Sequence, residues 1–159
     1  VHEKILIYIE TKVLLKLLSI IMGIHLKEDF GLSGAVLGAA IKVHSFLGPG
    51  MLESAYRKCL AHQLMLDGFE VKVEKPVPIV YEGLNVEAGY RIDLLVENKL
   101  VVELKATDTF LPVHTAQVLT YLKFGRYENG LLINFNVESL KFGIKRLINR
   151  DFNNETETC

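Results

Sequence analysis

The chain has 159 residues, 50% hydrophobic and 23% charged, with 18 Lys and Arg against 19 Asp and Glu, which suits one globular domain with a sizeable core. The net charge of -1 excludes a histone-like polycation and an acidic disordered chain, but a local basic cleft on a neutral protein can still hold nucleic acid. The two cysteines, Cys59 and the terminal Cys159, lie far apart, so neither a disulfide framework nor a zinc cluster is expected, and a reducing, cytoplasmic compartment fits best.

Residues 1–30 read as an N-terminal extension, 31–150 as the domain, and 151–159 as a polar tail whose end, NNETETC, is expected to fray. Residues 13–24 (VLLKLLSIIMGI) are densely apolar but contain Lys16. The run is too short for a spanning helix, which needs about 20 apolar residues. Glu3 and Glu10 spoil the basic start of a secretory signal. An amphipathic helix packed on the domain or on a partner is expected instead. A natural start further in, near Gly31 where the patterning begins, is the other reading.

Ser33 is placed to cap a helix running to about Phe46, with Val36, Ala40, Val43 and Leu47 as its apolar stripe. Gly48-Pro49-Gly50 breaks it, and a second helix covers 51–67 with Gly68 as its stop. Residues 70–74 (EVKVE) alternate as a half-exposed strand, and after Pro76 and Pro78 a short strand at 79–81 meets a turn at Glu82-Gly83. Two strands at 90–97 and 100–106 are joined by a tight turn at Asn98-Lys99. A helix runs from Pro112 to about Gly125, residues 130–135 (GLLINF) form a buried strand, and 139–149 fits either strand or helix. This order describes an α/β fold with a mixed central sheet flanked by helices.

The informative anomaly is charge in the two middle strands. RIDLLVE and LVVELKA are otherwise apolar on both faces, as central strands are, yet Asp93 interrupts the first, and Glu103 and Lys105 the second. Period-two alternation puts Glu103 and Lys105 on one face, and the hairpin can bring Asp93 beside Glu103. Burying two carboxylates needs cations or hydrogen bonds. A hard divalent ion with oxygen ligands, Mg²⁺ first, would serve. An ion-pair reading competes: Lys105 neutralises one carboxylate and Arg91 or Lys99 the other. The combination across one hairpin favours the metal. On the second helix Glu53 shares a stripe with Tyr56, Leu60 and Leu64, pointing inward, although dipole compensation alone also explains a first-turn Glu. Gln117 and Tyr121 stand at i, i+4 on the later helix, on the face of Val113 and Phe124, which an ordinary amide–phenol pair also explains. His44 and His114 are read as structural histidines.

Together these residues resemble the PD-(D/E)xK nuclease superfamily, and within it the small GxxExxY proteins. The naming motif stands as Gly50-Met51-Leu52-Glu53-Ser54-Ala55-Tyr56, the nuclease motif as Asp93 followed by Glu103-Leu104-Lys105, and a RecB-type Gln-x-x-x-Tyr as Gln117 to Tyr121. LLINFNV and GIKRLIN also resemble the ending of this family. Ile92 replaces the proline of the strict motif. The resemblance, over about residues 31–149, implies a restriction-endonuclease-like αβββαβ core and metal-dependent hydrolysis of nucleic acid, DNA first. It implies Mg²⁺, or Mn²⁺ as substitute, on Asp93, Glu103, the Leu104 carbonyl and Glu53. Lys105 would position or help deprotonate the attacking water, and Gln117 and Tyr121 would orient the site. Lys141, Lys145 and Arg146, in the densest basic stretch, are candidates for contact with the nucleic-acid backbone. No membrane partner is expected, and homo-oligomerisation is left open. The alternative is a catalytically silent module of the same fold that binds nucleic acid or a protein.

Overall fold

The computed structural model describes residues 28–86 and 89–152, with side chains from residue 31. The expected helix at 13–24 and the frayed tail at 153–159 lie outside the described residues. From Ser33 onward the described residues belong to one compact unit. The described elements are α1 (Glu28–Leu47), α2 (Glu53–Leu66), β1 (Val71–Pro76), β2 (Ile79–Tyr81), β3 (Leu84–Val86), β4 (Arg91–Val96), β5 (Leu100–Lys105), α3 (Pro112–Gly125), β6 (Asn129–Asn134), a 3₁₀ turn (Leu140–Gly143) and β7 (Ile144–Ile148).

Two local expectations are corrected. Helix α1 already begins at Glu28, and Ser33 is a buried interior residue, not a cap. No proline precedes it to stop the helix, and a serine inside a helix costs little. The hairpin between β4 and β5 turns on Glu97 and Asn98, at φ 53° and 53°, one residue earlier than Asn98-Lys99. Lys99 N–H closes the turn on the Val96 carbonyl at 3.0 Å. The ambiguous stretch near 139–149 resolves into the 3₁₀ turn and then a strand. The Gly68 stop is as expected: with φ 88° it lets its own N–H reach Met65 O, and the Phe69 N–H reach Leu64 O, a Schellman closure.

Five strands form one sheet in the order β1-β4-β5-β6-β7, and β2-β3 form a separate hairpin. Only β5 and β6 pair in parallel; the other neighbours in the large sheet are antiparallel. The parallel pair is connected through α3, as a crossover requires. Strands β4, β5 and β6 are buried along nearly their whole length, while β1 and β7 are exposed edges. The α2-β1-β4-β5-α3-β6 core is consistent with the expected restriction-endonuclease-like fold. Val118, Tyr121 and Leu122 of α3 join Leu95, Val101 and Leu132 in one apolar cluster. Gly130 permits this approach, because a Cβ there would lie 2.8 Å from Val118. Tyr56, Leu60 and Leu64 of α2 are fully buried, and the Tyr56 ring stacks on Phe135 at 4.5 Å.

Candidate active site

Helix α2 is aimed by the loop before it. Gly50 has φ 96°, a conformation in which a side chain is strained. The Tyr56 hydroxyl donates to the Gly48 carbonyl at 2.5 Å and accepts from Met51 N–H at 3.1 Å. The glycine thus allows the bend and the tyrosine latches it. Glu53 is held in the first helical turn, half-buried.

The carboxylates meet where β4 and β5 part. Their ladder pairs Val96 with Leu100 and ends at Leu94 with Val102, a register that sets Asp93 level with Glu103. There the Asp93 carboxylate replaces the backbone partner: its Oδ2 accepts the Leu104 N–H at 2.9 Å. Asp93 Oδ1 accepts from Arg57 at 2.9 Å, and Arg57 also reaches Glu74 at 3.6 Å. Lys105 Nζ bonds Glu103 Oε1 at 2.7 Å. The cation expected on Glu103 is therefore present, whereas the cation on Asp93 is Arg57, not Arg91 or Lys99. The strand-based reading missed it because Arg57 comes from α2. Its signal was its place one turn after Glu53, at i+4.

Glu103 is 2% exposed, and burial, with Asp93 beside it, pushes its carboxyl up to about 7 despite the Lys105 hydrogen bond. Glu53 is also shifted up by burial and by Asp93, against the pull of Lys105 and Arg57. Burial would lower the Lys105 ammonium, but its bond to Glu103 and the nearby carboxylates outweigh this and raise it. Lys105 is thus firmly protonated. It donates to Glu103 and balances charge among the carboxylates.

The donor chemistry suits a hard cation. Glu103 Oε2 is buried without a hydrogen-bond partner, which is costly unless something positive approaches it. With every carboxyl ionised, Glu53, Glu74, Asp93 and Glu103 against Arg57 and Lys105 give a formal local charge of -2. The fit lies in donor type and charge rather than in spacing: among the described residues no three His, Cys, Asp or Glu side chains stand grouped for a metal. Two of the carboxylates hold protein cations instead.

From α3, Gln117 Nε2 donates to the Tyr121 hydroxyl at 2.8 Å. Tyr121 is buried; burial raises its pKa, and the charges of Glu103 and Asp93 add to the shift. Val113 lines the same hollow as Gln117 and Tyr121, and Val113 and Phe124 are exposed at 62% and 39%. The basic stretch is divided. Glu103 pairs with Leu132, and Leu132 with Lys145, which puts Lys145 on the Glu103 face two strands, or about 10 Å, away. Lys145 Nζ bonds Thr115 of α3 at 3.0 Å. Alternation turns Arg146 away from Lys145, and Arg146 borders a groove at the β7 edge together with Lys123 of α3 and Arg150. Lys141 sits over the Phe142 ring. His44 is structural, bonded to the Val137 carbonyl. Asn134, buried, was not foreseen: it accepts from Thr107 N–H and donates to Thr107 O, fixing the chain just after Lys105.

Compared with known proteins, residues 31–147 match the family model of the PD-(D/E)XK nuclease superfamily. The chain belongs to that superfamily, whose members are usually hydrolytic nucleases and generally use divalent metal ions. No curated protein and no solved structure matches it. Among the described residues no helix is long and apolar enough to cross a membrane.

Proposed function

We propose that the protein is a Mg²⁺-dependent nuclease of the GxxExxY group that hydrolyses phosphodiester bonds in DNA. The observation that carries this reading is the buried, unpartnered Glu103 Oε2 beside a protonated Lys105 and level with Asp93. Asp93, Glu103 and Glu53 would hold the cation together with the Leu104 carbonyl. That carbonyl leaves its strand on the same side as the Leu104 N–H, toward Asp93 where the ladder has ended. A bound divalent ion would polarise the phosphate and lower the pKa of the attacking water. Lys105 orients that water and offsets charge as the oxygen–phosphorus bond forms and the ester bond breaks. Gln117 and Tyr121 hold the substrate side of the site, and Asn134 fixes the backbone after Lys105. Lys141, Lys145 and Arg146 supply contacts to the nucleic-acid backbone; of these, Lys145 lies on the face of the carboxylates.

The two ion pairs on Asp93 and Glu103 favour the second reading, a silent module that binds nucleic acid with its charges already satisfied. Labelled single- and double-stranded DNA and RNA, incubated with Mg²⁺, Mn²⁺ or EDTA, separate the two. The nuclease reading expects metal-dependent cleavage that Asp93→Ala abolishes, together with an Mn²⁺-induced thermal shift lost in the same variant. Absence of cleavage of every substrate with either metal leaves the module.

A further inference from the structure

Against α3 lies a hollow of about 340 Å³ lined by Tyr90, Val113, Ala116, Gln117, Thr120 and Tyr121, the last of which feels the charges of Glu103 and Asp93. Its size is at the lower end of small-ligand sites. No charged side chain lines it, so the group it accepts is neutral. Tyr90 and Val113 expose 41% and 62% of their surface, giving the hollow an aromatic and an aliphatic wall. Its floor is the Gln117–Tyr121 pair, in which Gln117 spends one N–H on the tyrosine hydroxyl. The amide keeps a second N–H and a carbonyl oxygen. A flat apolar face with a donor and an acceptor on its edge is the chemistry of a nucleobase. In a duplex, base faces are stacked and Watson–Crick edges paired; an aromatic side chain can take a base face only where the strand is open.

We propose that this hollow receives one unpaired nucleobase of the substrate, stacked against Tyr90 with its edge on Gln117, so that the enzyme acts on single-stranded DNA. The inference rests on the nuclease reading for its substrate, and it names the class of strand that the same site takes. Because the amide both donates and accepts, the hollow tolerates any base. Tyr90 acts by positioning the strand.

The test is binding in EDTA, where no metal-dependent cleavage occurs. A labelled single strand and its duplex are titrated with wild type, Tyr90→Ala and Tyr90→Phe. Loss of one stacked base lowers affinity about 5- to 150-fold. Tyr90→Ala is therefore expected to weaken single-strand binding in that range and to leave duplex binding unchanged, and Tyr90→Phe is expected to restore it. An abasic site moved along the strand gives a second measurement with unaltered protein: one position should reproduce the loss. Equal single-strand binding by wild type and Tyr90→Ala, or no sensitive abasic position, overturns the proposal. Cleavage assays with Mg²⁺ and Mn²⁺ keep the two readings apart. Tyr90-dependent strand binding without any cleavage retires the nuclease and keeps the hollow. Metal-dependent cleavage of duplex, with neither Tyr90 nor an abasic site mattering, does the reverse.

Discussion

Glu103→Gln makes the buried carboxylate measurable without a substrate. In the metal-free protein Glu103 is shifted from 4.5 up to about 7, so the fold prefers its neutral form. A raised carboxyl pKa contributes stability that is complete below about 4.5 and lost as the pH climbs through about 7. Each pKa unit corresponds to 1.36 kcal/mol, so the loss between pH 4.5 and 8 approaches about 3 kcal/mol. Glu103 is nearly inaccessible, so solvent screening removes little of it. For a domain of this size about 3 kcal/mol corresponds to roughly 6–12 °C in Tm. Thermal unfolding in EDTA at pH 5, 6, 7 and 8 isolates the effect when the wild type is compared with Glu103→Gln, because their other titrations are shared. Wild type is expected to lose ground to the variant as pH rises, and Mn²⁺ at pH 8 to return stability to wild type only. If the Tm difference between the two proteins stays flat from pH 5 to 8, Glu103 is not an ionisable group held neutral by burial.

Lys105→Met keeps the apolar stem of the lysine and removes its charge; it should retain the fold and metal binding while turnover falls about 10²-fold or more, read as kcat against a thermal-shift titration with Mn²⁺. Tyr56→Phe removes the hydroxyl that joins Gly48 to Met51, so Tm should fall by the equivalent of about 1–2 kcal/mol, with a larger relative loss in cleavage because Glu53 is no longer aimed; an active, equally stable variant would refute the latch. Lys145→Glu should weaken DNA binding and flatten its salt dependence by about one phosphate contact. Arg146→Glu, in the groove with Lys123 and Arg150, should change the slope independently; if neither variant moves affinity or slope in filter binding, β7 is not the surface that meets the strand.

The strand hairpin was the most legible part of the molecule, because apolar runs with charges at period two specify both the buried face and the residues that interrupt it. Tertiary contacts were less legible. Arg57 belongs to the site through a helix remote in sequence from β4, and on α2 it reads as an ordinary exposed cation. Asn134 looked like one more residue in a buried strand, and its side chain matters only because the chain after Lys105 passes beside it. The division of Lys145 from Arg146 was available from strand alternation once 144–148 was known to be a strand, and the sequence left that stretch open between two periods.

The placement of Asp93 depends on the opposite end of its own strand. A slip of one residue between β4 and β5 would turn one strand's side chains to the opposite face relative to the other, separating Asp93 from Glu103 and leaving two isolated buried charges. The turn opposes that slip. Glu97 and Asn98 both adopt positive φ, the geometry that matches the twist of a tight antiparallel hairpin. The turn is also tied to the chain entering β1: Glu97 Oε1 accepts Glu70 N–H at 2.7 Å, Glu97 N–H donates to Glu70 O at 2.9 Å, and Asn98 Nδ2 donates to Glu70 Oε1 at 3.0 Å. These bonds fix the register of β1, β4 and β5 together about 14 Å from Asp93, counting four residues at the rise of a strand. At the site end of the strand the same register brings Arg57 between Asp93 and Glu74. The polar turn at residues 97–98 is therefore part of how the site is built, although it touches none of its residues.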